Sequence, residues 1–246
     1  MKNVTMFLVG VVIILSVIGL PIVALINPTV VVRQQVLVDV IQQVKPGVVH
    51  IMCPQWQGSG FIISEHLIAT ARHVVEGVED FEITFDCGGK VKTTRAISSK
   101  DHDVAFIWVD EPMPKALILG SIKDCKLGES IFVMGSPYGQ INFNAVSLGI
   151  ISGLDRSWEK LGDSYGWSVA FTTDSAGHPG NSGCPVFSMD GKVRGILVGG
   201  FSPVLISVMP SDLFLDDLDE IELMFKQDEY QKEVKTDVAG EAWNYK

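Results

Sequence analysis

Charge is missing from the first part of the chain: from Asn3 to Val32 there is no charged side chain, and Met6 to Ile26 is an almost unbroken apolar run of 21 residues. Such a run excludes an ordinary globular start and is long enough to cross a hydrocarbon core as a helix. With Lys2 before it, the arrangement fits either a secretory signal or an uncleaved signal anchor whose amino end stays in the cytoplasm. Cleavage positions exist after Gly19 and Ala24. The run nevertheless exceeds the ~7 to 15 residues of a usual signal core, which favours the anchor. Residues 1–30 are therefore expected to form a transmembrane helix. The remainder is expected outside the cytoplasm, membrane-anchored, or secreted if the segment is cleaved.

Other absences narrow the function. The four cysteines, at 53, 87, 125 and 184, form no Cys-x-x-Cys pair, and no histidine stands near them at zinc-finger spacing. That argues against a metal site, and no cofactor is expected. An extracytoplasmic place would permit disulfides, with Cys53 and Cys87 the pair to test; four buried small apolar residues is the equal alternative. No basic patch is present, so nucleic-acid binding by a cationic surface is not expected. The net charge of −10 gathers at the end, where residues 211–246 carry eleven acids against four lysines. The body is close to neutral. Internal repeats and low-complexity segments are also missing.

With 246 residues and 47% apolar content, the chain can bury a sizeable core. Val36 to Val44 has the spacing of a short amphipathic helix stopped by Lys45-Pro46-Gly47. Short runs rich in Val, Ile, Phe and Thr follow, punctuated by turn residues: 48–52, 60–63, 67–70, 81–86, 91–97 and 104–109 in a first half. In a second half come 130–134, 147–152, 168–173, 185–188, 193–198 and 205–208. Asp110-Glu111-Pro112-Met113-Pro114-Lys115 separates the halves. Many short strands at such spacing argue for barrels rather than βαβ units. Ser211-Asp212 before Leu213, Leu215, Leu218 and Ile221 reads as a capped amphipathic helix leading to an acidic tail, 221–246.

The chemistry-bearing stretch is Gly180-Asn181-Ser182-Gly183-Cys184-Pro185, a serine in a glycine-flanked turn before an apolar run. Alone it is equally an ordinary hairpin turn. A nucleophilic serine, however, needs a base to take its proton and a third group to orient that base. Upstream, His73 follows the strand-like Leu67-Ile68-Ala69-Thr70, and Asp103 immediately precedes Val104-Ala105-Phe106-Ile107. Each of these alone is more often a cap or turn former; the three together supply nucleophile, base and orienting acid. His50, His66 and His102 lack such support and read as structural or exposed. His178, four residues before Ser182, reads as exposed without a role.

The segments GSGF, LIATARHVV, DHDVAFIWV, GSPYG, GNSGCP and GKVRGI, in this order, resemble the trypsin-like serine endopeptidases, most closely the HtrA (Deg) branch. The resemblance covers about residues 36 to 218. It implies an all-β fold of two six-stranded antiparallel β-barrels, 31–110 carrying His73 and Asp103 and 111–220 carrying Ser182, with a short C-terminal helix. It implies Ser182 as nucleophile, His73 as general base and then acid, Asp103 as orienting acid, and the amides of Gly180 and Ser182 as oxyanion hole. Ala176, Val198, Gly199 and Gly200 would line the pocket for the residue before the scissile bond, with Val208 a further candidate. No acid stands at Ala176 to attract Lys or Arg, so cleavage after small or medium apolar residues is expected.

The chain departs from the family at Cys184, where a second glycine is common, and at Arg72, where a small or amide residue is common. Cys184 reads as a packed thiol rather than a nucleophile. Only about thirty residues follow the last core segment, where the HtrA branch usually carries a PDZ domain, so regulation by a PDZ domain is not expected. Polypeptide substrates and a membrane held through the N-terminal helix are the expected partners, and homo-oligomerisation stays open. Two other functions compete: a catalytically silent protease fold serving as peptide-binding scaffold, and a dedicated processing enzyme of viral or phage maturation type.

Overall fold

The computed structural model of the protein describes residues 28–158, 167–215 and 218–227. Residues 1–27, with most of the expected membrane segment, and 228–246, with most of the acidic tail, lie outside the described residues. Among the described residues no helix is long and apolar enough to cross a membrane. The chain divides into two compact units, 1–39 and 40–246. The first helix, α1 (Pro28–Val44), begins eight residues before the amphipathic stretch. Proline at a first helical position costs nothing, because that N–H has no intrahelical partner. The helix ends at the expected stop, a single 3₁₀ turn over Lys45–Gly47. Everything below concerns the second unit.

Its first half is one antiparallel sheet of β1 (Val48–Met52), β2 (Gln57–Ile62), β3 (Leu67–Thr70), β4 (Phe81–Phe85), β5 (Lys90–Thr93), β6 (Ala96–Ser98) and β7 (Ala105–Trp108). The order across it is β5-β4-β1-β2-β3-β7-β6. This corrects the expectation of a closed six-stranded barrel. The stretch 91–97, expected as one strand, is broken at Thr94-Arg95. The Thr93 hydroxyl donates to the Trp108 carbonyl at 2.7 Å and accepts the Arg95 N–H at 3.2 Å. The Trp108 N–H in turn donates to the Arg95 carbonyl at 2.9 Å. A side-chain hydroxyl that serves nearby backbone groups competes with the ladder and bends the strand. The two pieces therefore stand at opposite edges of the sheet, joined by two residues rather than by a ladder. A one-turn helix, α2 (Arg72–Val75), follows β3.

The second half meets the expectation. β8 (Ser130–Gly135), β9 (Ala145–Trp158), β10 (Trp167–Thr173), β11 (Pro185–Ser188), β12 (Val193–Ser202) and β13 (Leu205–Pro210) form a closed six-stranded barrel in the order β10-β13-β12-β11-β8-β9. Alternate residues fill it: Ile131, Val133, Ile151, Phe171, Val186, Leu197 and Val208, each at most 3% exposed, with Cys184 among them. Burying an aliphatic or phenylalanine side chain of this kind stabilises by roughly 1.5–3 kcal/mol relative to exposure. The connection between the halves runs along the first sheet, with the Met113 and Leu117 N–H groups donating to the Glu65 and Ile62 carbonyls at 2.9 and 2.8 Å.

The expected short C-terminal helix is present, but it starts later than Ser211-Asp212. Ser211 and Asp212 do not cap a long helix; they open a 3₁₀ turn, Ser211–Leu213. Their side chains are engaged elsewhere. The Ser211 hydroxyl donates to the Gly120 carbonyl, and the Asp212 carboxylate accepts from the Ser121 hydroxyl and, at 2.8 Å, from the Ile122 N–H. Burial works to raise the Asp212 carboxyl, but these hydrogen bonds and the Lys123 charge outweigh it and hold it below the usual carboxylate range. A separate helix, α3 (218–227), returns to the first sheet. There Phe225 stacks on Trp108 at 5.4 Å, and its carbonyl accepts from the Arg95 guanidinium at 2.7 Å. The four cysteines are free, Cys53, Cys125 and Cys184 buried and Cys87 exposed, so the Cys53–Cys87 bridge is not formed.

Candidate active site

The short helix α2 exists because β3 ends at Thr70 and Ala71 takes an extended conformation before the single turn that carries His73. The loop opposite, 99–103, is folded by Ser99. Its hydroxyl accepts the Asp101 and His102 N–H groups, and its N–H donates to the Val104 carbonyl at 2.9 Å. That loop delivers Asp103, whose side chain is 1% exposed, to His73. The His73 Nδ1 lies 2.8 Å from one carboxylate oxygen, and the His73 backbone N–H donates to the other at 3.0 Å. With its proton on Nδ1, the ring keeps the lone pair of Nε2 for another group. Arg72 reinforces the arrangement by donating to the Ser99 and Lys100 carbonyls at 3.3 and 3.2 Å. The residue that departs from the family pattern thus clamps the loop bearing the acid.

Ser182 comes from the other half, in the turn between β10 and β11. Gly180 and Gly183 have φ of 98° and 87°, a region that L side chains rarely adopt. Space forbids a side chain as well. A Cβ on Gly180 would meet the Ser136 carbonyl at 2.3 Å, and one on Gly183 the Ser59 carbonyl at 2.1 Å. The second close approach seats the turn directly on β2, and the Ser59 N–H donates to the Ser182 carbonyl at 2.8 Å. Ser182 and His73 then share an open cleft of about 520 Å³ with Trp56, Gln57, Val74, Glu76, Pro179 and Gly180. Trp56 braces it, donating from its indole to the Val74 carbonyl at 3.0 Å. A groove of about 610 Å³ beside Met52, Cys53 and Arg95 contains none of these groups and offers no comparable chemistry.

The amides of Gly180 and Ser182 donate no hydrogen bond among the described residues, whereas those of Asn181, Gly183 and Cys184 bond to the His178, Leu197 and Asn181 carbonyls. Two unspent donors beside a serine are what a developing oxyanion requires. Cys184, two residues on, is fully buried, and burial pushes its thiol up, far from the thiolate a nucleophile needs.

The remaining sequence candidates lie on the β10–β11 connection, on β12 and on β13. The Ala176 N–H donates to the Ser147 hydroxyl at 2.7 Å, and the Gly177 N–H donates to the Pro203 carbonyl at 2.9 Å. The first bond ties the Ala176 loop to β9 and the second ties it to the β12–β13 hairpin, where Gly199 and Gly200 lie. Val198 is 4% exposed; Val208 is fully buried in the barrel core, paired with Leu197 and Phe171. Of the other histidines, His50 is fully buried on β1, and His66 stacks on Trp108 and bonds to the Val109 carbonyl. His178 is half-buried, its Nδ1 3.3 Å from the Tyr138 hydroxyl, so it has a partner that the sequence did not suggest.

A closed barrel that supplies a serine in a glycine-flanked turn, set against a β-sheet that supplies a histidine–aspartate pair, defines the class of trypsin-like peptidases. The chain belongs to the trypsin-like peptidase domain family, whose model matches residues 58–196, more than half of its length. Among curated proteins it is similar to a probable periplasmic serine endoprotease DegP-like of Halomonas elongata, 37% identical over 67% of this chain and 35% of that protein. It is also similar to serine protease HTRA4 of Mus musculus, 32% identical over 76% of this chain and 42% of that one. The chain thus spans less than half the length of these relatives. Among solved structures, the HtrA-type protease AlgW with tripeptide superposes with a TM-score of 0.66 at 23% identity, over 75% of this chain and 63% of that one. The Rv3671c protease from M. tuberculosis in its active form superposes with a TM-score of 0.63 at 24% identity, over 73% and 82%. At these identities the likeness is one of fold.

Proposed function

We propose that the protein is a serine endopeptidase that hydrolyses peptide bonds of unfolded or extended polypeptides through an acyl-enzyme. The observation that carries the reading is the His73–Asp103 pair meeting the Ser182 turn in one cleft. His73 Nε2 takes the Ser182 proton as Oγ attacks the scissile carbonyl, then returns it to the leaving amine; water repeats the cycle on the ester. Asp103 holds the ring in the tautomer that exposes Nε2 and stabilises the imidazolium. The Gly180 and Ser182 amides receive the oxyanion. Cleavage follows small or medium apolar residues, because Ala176 brings no charge to the pocket; a peptide-library profile dominated by Lys or Arg overturns this.

The catalytic part is extracytoplasmic and tethered by the apolar run 6–26, a reading supported by that run and by the periplasmic assignment of the Halomonas relative. A mature protein beginning near Leu20 or Leu25 refutes the tether. The central test is labelling by a fluorophosphonate probe together with casein cleavage, native protein against Ser182→Ala. Both activities are expected of the native protein only. An unlabelled, inactive native protein leaves the scaffold reading in possession.

A further inference from the structure

The peptide planes of the Ser182 turn are each anchored by a named donor. The Tyr138 N–H donates to the Pro179 carbonyl at 2.7 Å, the Cys184 N–H to the Asn181 carbonyl at 3.0 Å, and the Ser59 N–H to the Ser182 carbonyl at 2.8 Å. The remaining plane, between Gly180 and Asn181, is held by the Ser59 hydroxyl, which donates to the Gly180 carbonyl at 2.7 Å. A trans peptide carries its N–H antiparallel to its C=O, so turning each carbonyl fixes the neighbouring amide. The Gly180 N–H is directed away from Tyr138 and the Ser182 N–H away from Cys184. The plane between these two amide-bearing units is held at both ends: its N–H donates to the His178 carbonyl at 2.9 Å within the same loop, and its C=O has a single partner, a side chain from the other half of the molecule.

Ser59 is itself fully fixed. It is 0% exposed; its hydroxyl accepts the Ser136 N–H at 2.9 Å, and its carbonyl accepts the Thr70 hydroxyl at 2.7 Å. The residue therefore ties β2, the β8 end and the serine turn at one buried point. Without the hydroxyl the Gly180 carbonyl and the Ser136 N–H lose their partner in a place water does not reach. The Gly180–Asn181 plane then keeps only the bond from the Asn181 N–H to the His178 carbonyl, internal to the loop, and can tilt about it, changing the spacing between the two oxyanion donors. We infer that Ser59 is a positioning residue for the oxyanion hole, acting through the Gly180 carbonyl without touching substrate. The inference rests on the protease reading above.

The test compares the full chain with Ser59→Ala. As a control, Ser211→Ala removes a buried hydroxyl of similar kind, bonded to the Gly120 carbonyl and to no residue of the turn. Ser59→Ala is expected to lose ~10- to 100-fold in kcat with KM within about twofold, less than the loss of a whole oxyanion donor. Peptide binding in a Ser182→Ala background stays unchanged, since ground-state contacts are intact, while affinity for a peptide aldehyde that forms a tetrahedral adduct falls in step with kcat. Ser211→Ala loses melting temperature but keeps kcat. Ser59→Ala with native kcat, or a loss matched by Ser211→Ala at equal melting temperature, overturns the inference. If Ser59→Ala does not fold, Ser59→Cys, which keeps the volume with a weaker donor, is judged by the same criteria. An inactive native protein sinks the protease reading together with the inference; an active native protein with an equally active Ser59 variant sinks the inference alone.

Discussion

His73 and Asp103 are joined by two hydrogen bonds, one from the ring and one from the main chain, and the difference between them can be tested. Asp103→Asn preserves an oxygen for the His73 N–H but places an amide donor against Nδ1. The ring proton must then move to Nε2, where it blocks acceptance from Ser182. The expected result is a loss of ~10⁴-fold in kcat from the wrong tautomer. Steady-state kinetics with a melting curve check this: a fold kept intact with activity lost is the signature. Cysteine reactivity is also decided residue by residue. Burial pushes the Cys53 thiol up to about 11 and Cys184 further still, and Cys125 is raised as well, while Cys87 is exposed. Iodoacetamide on the native protein, read by peptide mass spectrometry, is expected to modify Cys87 rapidly and the other three only after unfolding.

At the scale of elements, His50 shows what β1 demands. It stands opposite Ser59 on β2 and Thr84 on β4, fully buried, and burial first, then the Lys90 charge, lower its imidazole against a smaller opposing pull from Glu82. A histidine lowered in the folded state binds its proton more readily when unfolded, so stability is complete above the ordinary value near 6.5 and is lost as pH falls from there through the folded value. Melting temperature is expected to drop between pH 7 and 5, and His50→Leu should flatten that drop; an unchanged slope refutes the assignment. Strand positions were readable because alternation and turn residues are local properties: β1, β3 and β11 begin and end where those signals lie. The break within 91–97 was not, because it depends on Thr93 meeting Trp108, fifteen residues away. Ser211 and Asp212 carried a capping signal that is locally sound, yet the 120–122 loop claims both side chains.

The whole molecule places the proposed nucleophile on one half and the proposed base and acid on the other, and the two are bonded through Ser59 at several points. Separation of the halves and loss of the site are therefore one event. In a urea titration, activity and tryptophan fluorescence should share a midpoint, as two-state unfolding requires; activity lost at clearly lower urea shows that the halves part first. The three side chains of the proposed site were legible because each is a residue type that the proposed chemistry cannot replace. Ser59 was legible only as part of a glycine-rich run, since a serine between glycines gives no sign of the loop it will hold. Arg72 read as a departure because its partners, the Ser99 and Lys100 carbonyls, are backbone groups that no motif displays.

The helix at 218–227 leaves the second half and lays Phe225 on Trp108 of the first, under the Arg95 guanidinium. The chain thus crosses between the halves twice, once through 110–116 and once through this strap. A nick at the first crossing leaves the second in place, so a C-terminal fragment starting near Lys115 carries its own handle for recapturing its N-terminal counterpart. Mixed fragments are expected to regain fluorophosphonate labelling, and Phe225→Ala in the C-terminal piece to weaken their reassociation by roughly 3 kcal/mol or more, the usual worth of a buried phenylalanine.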